Sequence, residues 1–293
     1  MGIMEPLARS RRVMSERLSN SAGEALREAI LAALREINAR LSGDAPSEAD
    51  IHLARRAAKR ARALARLAPQ RLDTLARQTR KHVGEARRML GNARDAQVRR
   101  ATLARLAPRL DEAHAILSEM IDKPDEPVAA IDKDAVRISI SALVRDWTLC
   151  DADGDRDAII EAVADAYRKA RKRAARAKSG GARELRRWRS AVVDLEYHAA
   201  FLAGFAPKLR GHSGAADRLR KHLGDINDLD ELVNFARGQS SGDQQRTIAL
   251  RRLEHATVSR RAKLLVKAFH LGETLLTKSP SRWAADVRRS CTT

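Results

Sequence analysis

One segment constrains this chain more than any other. From Ile51 to Ala68, cations and small apolar residues alternate with the period of an α-helix. At roughly 100° per residue, His52, Arg55, Arg56, Lys59, Arg60, Arg62 and Arg66 fall on one half of the helical wheel. Ala54, Ala57, Ala58, Ala61, Leu64, Ala65 and Ala68 fill the other half. One face therefore packs and the other is a stripe of positive charge. No acidic residue lies between Asp50 and Asp73 to neutralise it. Like charges one helical turn apart repel by roughly a few tenths of a kcal/mol per pair. A solvated surface face is the bland explanation of a charge run. A stripe with no local counter-charge is better explained if a ligand brings the anions.

The rest of the chain repeats this imbalance on a larger scale. Its 57 Lys and Arg against 38 Asp and Glu give a net charge of +19. Residues 51–109 hold 17 basic and 3 acidic residues, a net of +14. Residues 110–165 hold 5 and 15, a net of −10, and residues 166–222 hold 16 and 4, a net of +12. The order is basic, acidic, basic. Such an excess predicts a polyanionic partner: nucleic acid, a phosphate polymer or an anionic membrane surface.

The fold class expected is all-α. Ala, Leu, Arg and Glu dominate and favour helices, and aromatic residues are only 3%. Helices are expected near 22–40, 47–67, 70–90, 92–119, 132–149, 155–178, 182–205, 214–236 and 243–276. Short links between them imply antiparallel hairpins packed into bundles. Residues 1–20 are expected to be an N-terminal extension. The remainder, 21–293, divides into halves of about 21–150 and 151–293, joined through the acidic middle. Asp122-Lys-Pro-Asp-Glu-Pro127 should interrupt any helix there. Asp151-Ala-Asp-Gly-Asp155 resembles the start of a calcium loop, but its Gly stands at the fourth position and no Glu closes the loop.

The two basic regions look like copies of each other. His52-Leu-Ala-Arg-Arg56 aligns with Arg186-Arg-Trp-Arg-Ser190 at an offset of 134, and Leu90-Gly-Asn-Ala-Arg-Asp95 with Leu223-Gly-Asp-Ile-Asn-Asp228 at an offset of 133. The second cluster comprises Arg168, Arg171, Lys172, Arg173 and Arg176, then Arg186, Arg187 and Arg189, then Arg218, Arg220, Lys221 and His222. It is the weaker one, because Val193 and Glu196 stand where the first helix keeps cations. Arg suits the task. Its planar fork grips phosphate oxygens two at a time and stays charged at every relevant pH.

In order and spacing, the set Ile51–Arg62, Leu90–Val98, Tyr167–Arg171, Leu223–Asp230 and Lys278-Ser-Pro-Ser-Arg-Trp283 resembles the CHAD family, named for a conserved histidine α-helical domain. The resemblance runs from about residue 20 to the C-terminus. It implies two four-helix bundles related by a pseudo-twofold axis, with a basic central pore that binds inorganic polyphosphate. It also implies association with polyphosphate granules. By that resemblance His52, Arg55, Lys59 and Arg62 line the pore, as do Arg168 and Arg171, while Arg189 matches the second-half Arg. The departures are Arg186, where the family has a second His, and Val193, where it has a basic residue.

Other chemistries find little support. The eight histidines show no metal-ligand spacing, and Cys150 and Cys291 stand far apart. No phosphate-binding glycine loop and no nucleophile motif occurs. The expectation is therefore a binding protein rather than an enzyme, with no cofactor. No apolar run approaches the ~18 residues needed to span a membrane. The N-terminus lacks the apolar stretch of a secretory signal. A cytoplasmic location is expected. Nucleic acid remains a second candidate partner, although few aromatics are available to stack bases. A polyphosphate-processing enzyme is a third reading.

Overall fold

The computed structural model describes residues 22–43, 45–91, 96–122, 132–152, 156–240 and 243–291, and for 5–21 and 92–95 the helical backbone alone. Every regular element among the described residues is helical. The helices are α1 (Glu5–Arg40), α2 (Glu48–Leu64), α3 (Asp73–Met89), α4 (Asn92–Ala104), α5 (Ala113–Asp122) and α6 (Lys133–Leu149). They continue as α7 (Arg156–Ser179), α8 (Ala182–Leu202), α9 (Arg210–Gln239), α10 (Gln244–Leu275) and α11 (Pro280–Cys291).

Local chemistry sets several of these ends. Ser47 caps α2: its hydroxyl accepts from the Asp50 amide at 3.1 Å and donates to the Asp50 carboxylate at 2.5 Å. That hydroxyl is the main reason the Asp50 carboxyl sits below its ordinary pKa. Asp132 and Asp243 cap α6 and α10 in the same way. The helix expected over 92–119 is in fact two. Pro108 sits in a 3-10 turn at Ala107–Arg109, and Asp111 follows with φ of 44°. Proline removes the amide that a continuing helix needs, and the left-handed residue turns the chain back. Helix α11 lies beyond the last helix expected. Asp153 to Asp155 and the two prolines of the acidic link fall outside the described residues.

Helix α1 packs on α2 and α6, and α3 packs on the same two helices. In the second half, α8 packs on α7 and α9, α10 on α9 and α7, and α11 on α7. Helices α4 and α5 reach across to α9 and α10. Their contact holds a separate small core that includes Leu103, Leu110, Leu117, Leu232 and Leu253. The main core is continuous through both halves, from Ile30 and Leu34 of α1 to Leu195 of α8 and Leu219 of α9. The Ala face of α2 is part of it: Ala54, Ala57, Ala58 and Ala61 are all buried.

The halves also meet where α2 crosses α8. There the buried His198 places Nε2 2.8 Å from the carbonyl of Ala63. Burial is the main cause that holds His198 below its ordinary pKa, so the ring is uncharged near neutral pH. Trp188, fully buried on α8, stacks on Phe269 of α10 with centroids 5.3 Å apart. A Cβ on Gly272 would fall 2.6 Å from the Trp188 ring, so only glycine lets α10 approach this closely.

Candidate functional site

A cavity of about 580 Å³ opens where the first half faces α9 and the start of α8. Six cations line it: Arg55 and Lys59 from α2, Arg87 and Arg88 from α3, Arg99 from α4 and Arg189 from α8. Two carboxylates line it as well, Asp228 and Glu231 of α9, together with Asn227, Gly91 and Val98.

Each cation is held by its helix register. Arg55 and Lys59 are one turn apart on the stripe that opposes the buried alanines. Arg55 donates from Nη1 to the carbonyl of Arg87 at 3.0 Å, which ties α2 to the end of α3. The guanidinium of Arg55 also lies over Gly91. A Cβ there would stand 3.2 Å from Arg55 Nη1 and 2.8 Å from the carbonyl of Arg88. Arg189 lies over Gly224 in the same manner, 3.5 Å from where a Cβ would be. Arg55 and Arg189 are 134 residues apart, and Gly91 and Gly224 are 133 apart. Both halves thus set an arginine against a glycine, and both arginines face one cavity.

Electrostatics differ sharply around it. Arg87 is half-buried, and burial, then Arg55, Arg189 and Arg88, push its pKa down. Arg62, one turn beyond Lys59, is likewise pushed down by burial and then by Arg87 and Arg66, with Asp194 acting the other way. Its buried Nε finds no hydrogen-bond partner. Both side chains remain charged, because Arg starts so high. They hold charge against desolvation and against each other, an arrangement that a bound anion relieves.

Long-range carboxylates serve other members of the α2 stripe. Arg60 donates to Glu36 of α1 at 2.9 Å, and Arg66 reaches Asp194 of α8 at 3.5 Å. Counting local acids along the sequence could not show either partner. Arg56 is exposed and lies near Glu196 and Tyr197 of α8. His52 is exposed one turn before Arg55.

The second cluster disperses. Arg186 pairs with Glu231 at 2.9 Å at the cavity edge. Arg168 pairs with Asp165, and Arg171 donates to the carbonyl of Lys278 at 3.2 Å. Those two and the exposed Lys172 stand on α7, which contributes nothing to the cavity lining. Lys221 pairs with Asp217 at 2.8 Å, Arg218 is exposed, and His222 buries an Nδ1 without a hydrogen-bond partner. None of these three α9 residues lines the cavity. Arg87, Arg88 and Arg99 line it although they lie outside the α2 stripe. The repeat held a signal for two of them, because Arg87 and Arg88 precede Arg220 and Lys221 by 133 residues. The side chains of Asn92, Arg94 and Asp95 lie outside the described residues.

Among the described residues no cluster of His, Cys, Asp or Glu has the makings of a metal site, and no helix is long and apolar enough to cross a membrane.

Comparison with known proteins agrees with this architecture. A family model described as the CHAD domain matches residues 24–237. A search of curated proteins finds no significant match. Among solved structures, the crystal structure of the CHAD domain from the plant Ricinus communis superposes with a TM-score of 0.55 at 19% identity, covering 88% of this chain and 92% of that one. At that identity the likeness concerns the fold.

Proposed function

The chain belongs to the CHAD domain family, and from that premise we propose that its central cavity binds inorganic polyphosphate without turning it over. The observation that carries the reading is the convergence of six cations from both halves on one cavity, with only two carboxylates among its lining residues. A flexible polyanion offers closely spaced phosphate oxygens to several guanidinium forks at once, and each charge-assisted hydrogen bond is short and strong. The walls come from α2, α3 and α4 of the first half and from α8 and α9 of the second, helices that belong to one bundle in each half on this reading. The cavity between them acts as the basic pore. Membership of polyphosphate granules in the cytoplasm follows from the same reading.

A cavity of about 580 Å³ has room for a short run of a single phosphate chain and not for a duplex. The test is a competition at about 150 mM salt between long-chain polyphosphate and duplex DNA of equal charge. Polyphosphate should win clearly, and affinity for both should fall steeply with salt. DNA binding as tight as polyphosphate binding would overturn the selective reading. Incubation with magnesium should release no phosphate. Release that disappears in Arg55→Ala with Lys59→Ala would make the protein an enzyme.

A further inference from the structure

Helix α10 keeps one long face uncovered. Its inner side is fixed by Ala249, Leu253, Ala256, Ala268 and Leu275, all buried. At 1.5 Å per residue its 32 residues run for about 48 Å. Ile248, Val258 and Val266 stand on the outer side, 48%, 66% and 71% exposed. They are three of the six large apolar side chains exposed among the described residues. Arg251, Arg252, Lys263 and Lys267 are exposed as well. At roughly 100° per residue all seven fall within about half of the helical wheel.

The cations of α10 divide into two sets. Arg246 pairs with Asp243 and Glu119, and Arg261 pairs with Asp230 at 2.7 Å. Arg260 donates to the carbonyl of Arg105 at 3.2 Å. The four outer side chains make no ion pair among the described residues. Both carboxylates of the helix are engaged elsewhere, Glu254 by Arg237 at 2.7 Å and Glu273 by Lys178 at 2.7 Å. Four positive charges therefore stand on this face without a counter-charge. Exposed apolar side chains that occur singly are ordinary. Here they are interleaved with the cations. Ile248 lies one turn from Arg251 and Arg252, and Val266 lies one turn from Lys263.

We propose that the outer face of α10 docks the protein lengthwise on an anionic membrane surface. The two kinds of side chain suit the two layers of such a surface. Acidic headgroups attract the four cations, and the tips of Ile248, Val258 and Val266 enter the apolar boundary beneath. A polyanion in solution would engage the cations alone, because neither a phosphate chain nor a nucleic-acid backbone offers an apolar layer. Docking of this kind needs no helix that crosses the bilayer, and among the described residues there is none. No residue of α10 lines the central cavity, so the proposal does not depend on the polyphosphate reading.

Co-sedimentation of the full chain with lipid vesicles at about 150 mM salt tests this. Vesicles of phosphatidylcholine mixed with phosphatidylserine should bind the protein, and vesicles of phosphatidylcholine alone should not. Binding should fall as salt is added. Lys263→Ala with Lys267→Ala should weaken it by at least about tenfold, from the usual worth of a basic side chain near such a surface. Val258→Ser with Val266→Ser leaves the charge unchanged and should weaken it severalfold. All four positions are exposed, and an unchanged melting temperature verifies that the variants fold. Arg55→Ala with Lys59→Ala should bind the vesicles nearly as the native chain does. Failure to bind the phosphatidylserine vesicles would overturn the proposal. So would indifference to either α10 double variant, or a loss in the Arg55 and Lys59 variant as large as in the Lys263 and Lys267 variant. If the Lys263 and Lys267 variant loses as much affinity for polyphosphate or duplex DNA as for vesicles, the face serves a polyanion in solution and the proposal fails.

Discussion

The two halves treat equivalent positions in opposite ways. In the first half Arg62 and Arg87 are half-buried neighbours of like charge. At offsets of 134 and 133 the second half has Glu196 and Arg220 instead. These two form an ion pair at 2.6 Å, and Asp217, standing where the first half has Gly84, binds Arg220 from the other side. Burial opposes charge on Arg220, but Asp217 and Glu196 outweigh it and hold its pKa up. Burial also lifts the Glu196 carboxyl above its ordinary range, although Arg220 pulls the other way. At these positions the same backbone plan therefore crowds cations together in one half and pairs a cation with carboxylates in the other. The first looks built for a ligand, the second for stability.

The largest test of that contrast is affinity. Arg55→Ala with Lys59→Ala should weaken polyphosphate binding by about 100-fold or more, since a hydrogen bond to a charged group is worth roughly 1.5–3 kcal/mol. Arg189→Ala, across the same cavity, should cost about tenfold by the same scale. Equal losses in an isothermal titration would break the asymmetry.

Stability without ligand should respond with opposite signs. Arg220→Met leaves the buried Glu196 carboxylate without its main counter-charge and should cost about 2–3 kcal/mol in urea unfolding. Arg62→Met removes a cation crowded by Arg87 and Arg66, and should stabilise the free protein by up to about 1 kcal/mol after solvent screening. Polyphosphate should then raise the melting temperature of the native chain more than that of Arg62→Met.

The junction between the halves makes a prediction about pH. His198, buried at the α2–α8 crossing, has a folded pKa depressed below the unfolded value, so the unfolded chain binds more protons in mild acid. Stability is intact above the unfolded pKa of about 6.5 and falls below it, by roughly 1 kcal/mol over the first pH unit. His212, depressed to about 4, adds a loss of the same sign across the window from its unfolded value down to about 4. A flat stability profile between pH 6.5 and 5.5 would refute both assignments. The smallest expected effect is at Glu231. Glu231→Gln removes a carboxylate from the cavity and releases Arg186, and polyphosphate affinity should rise about threefold.

Much of this was legible in the chain itself. The α2 stripe could be read because helical period and charge coincide, with alanines on the buried face. The break near Leu90 and the unbroken run through Leu223 were legible too, the first as the gap between 70–90 and 92–119 and the second inside 214–236. Both carry Leu-Gly, yet α3 ends at Met89 while α9 continues to Gln239. The break at Ala107–Asp111 was not legible. Partners such as Glu36 for Arg60 and Asp194 for Arg66 were hidden because they come from other helices. Helix α7 looked like part of the cationic wall, since Arg168, Arg171 and Lys172 are dense in sequence. Local periodicity gives a helix its faces but does not say which face meets the cavity. The resemblance supplied the family, and tertiary packing supplied the lining.

The most direct measurement is a structure of the full chain with polyphosphate bound. The account predicts a run of phosphates between Arg55 and Arg189, with oxygens on Arg87 and Lys59. Phosphates lying along α7 or the outer face of α10, with the central cavity empty, would contradict it.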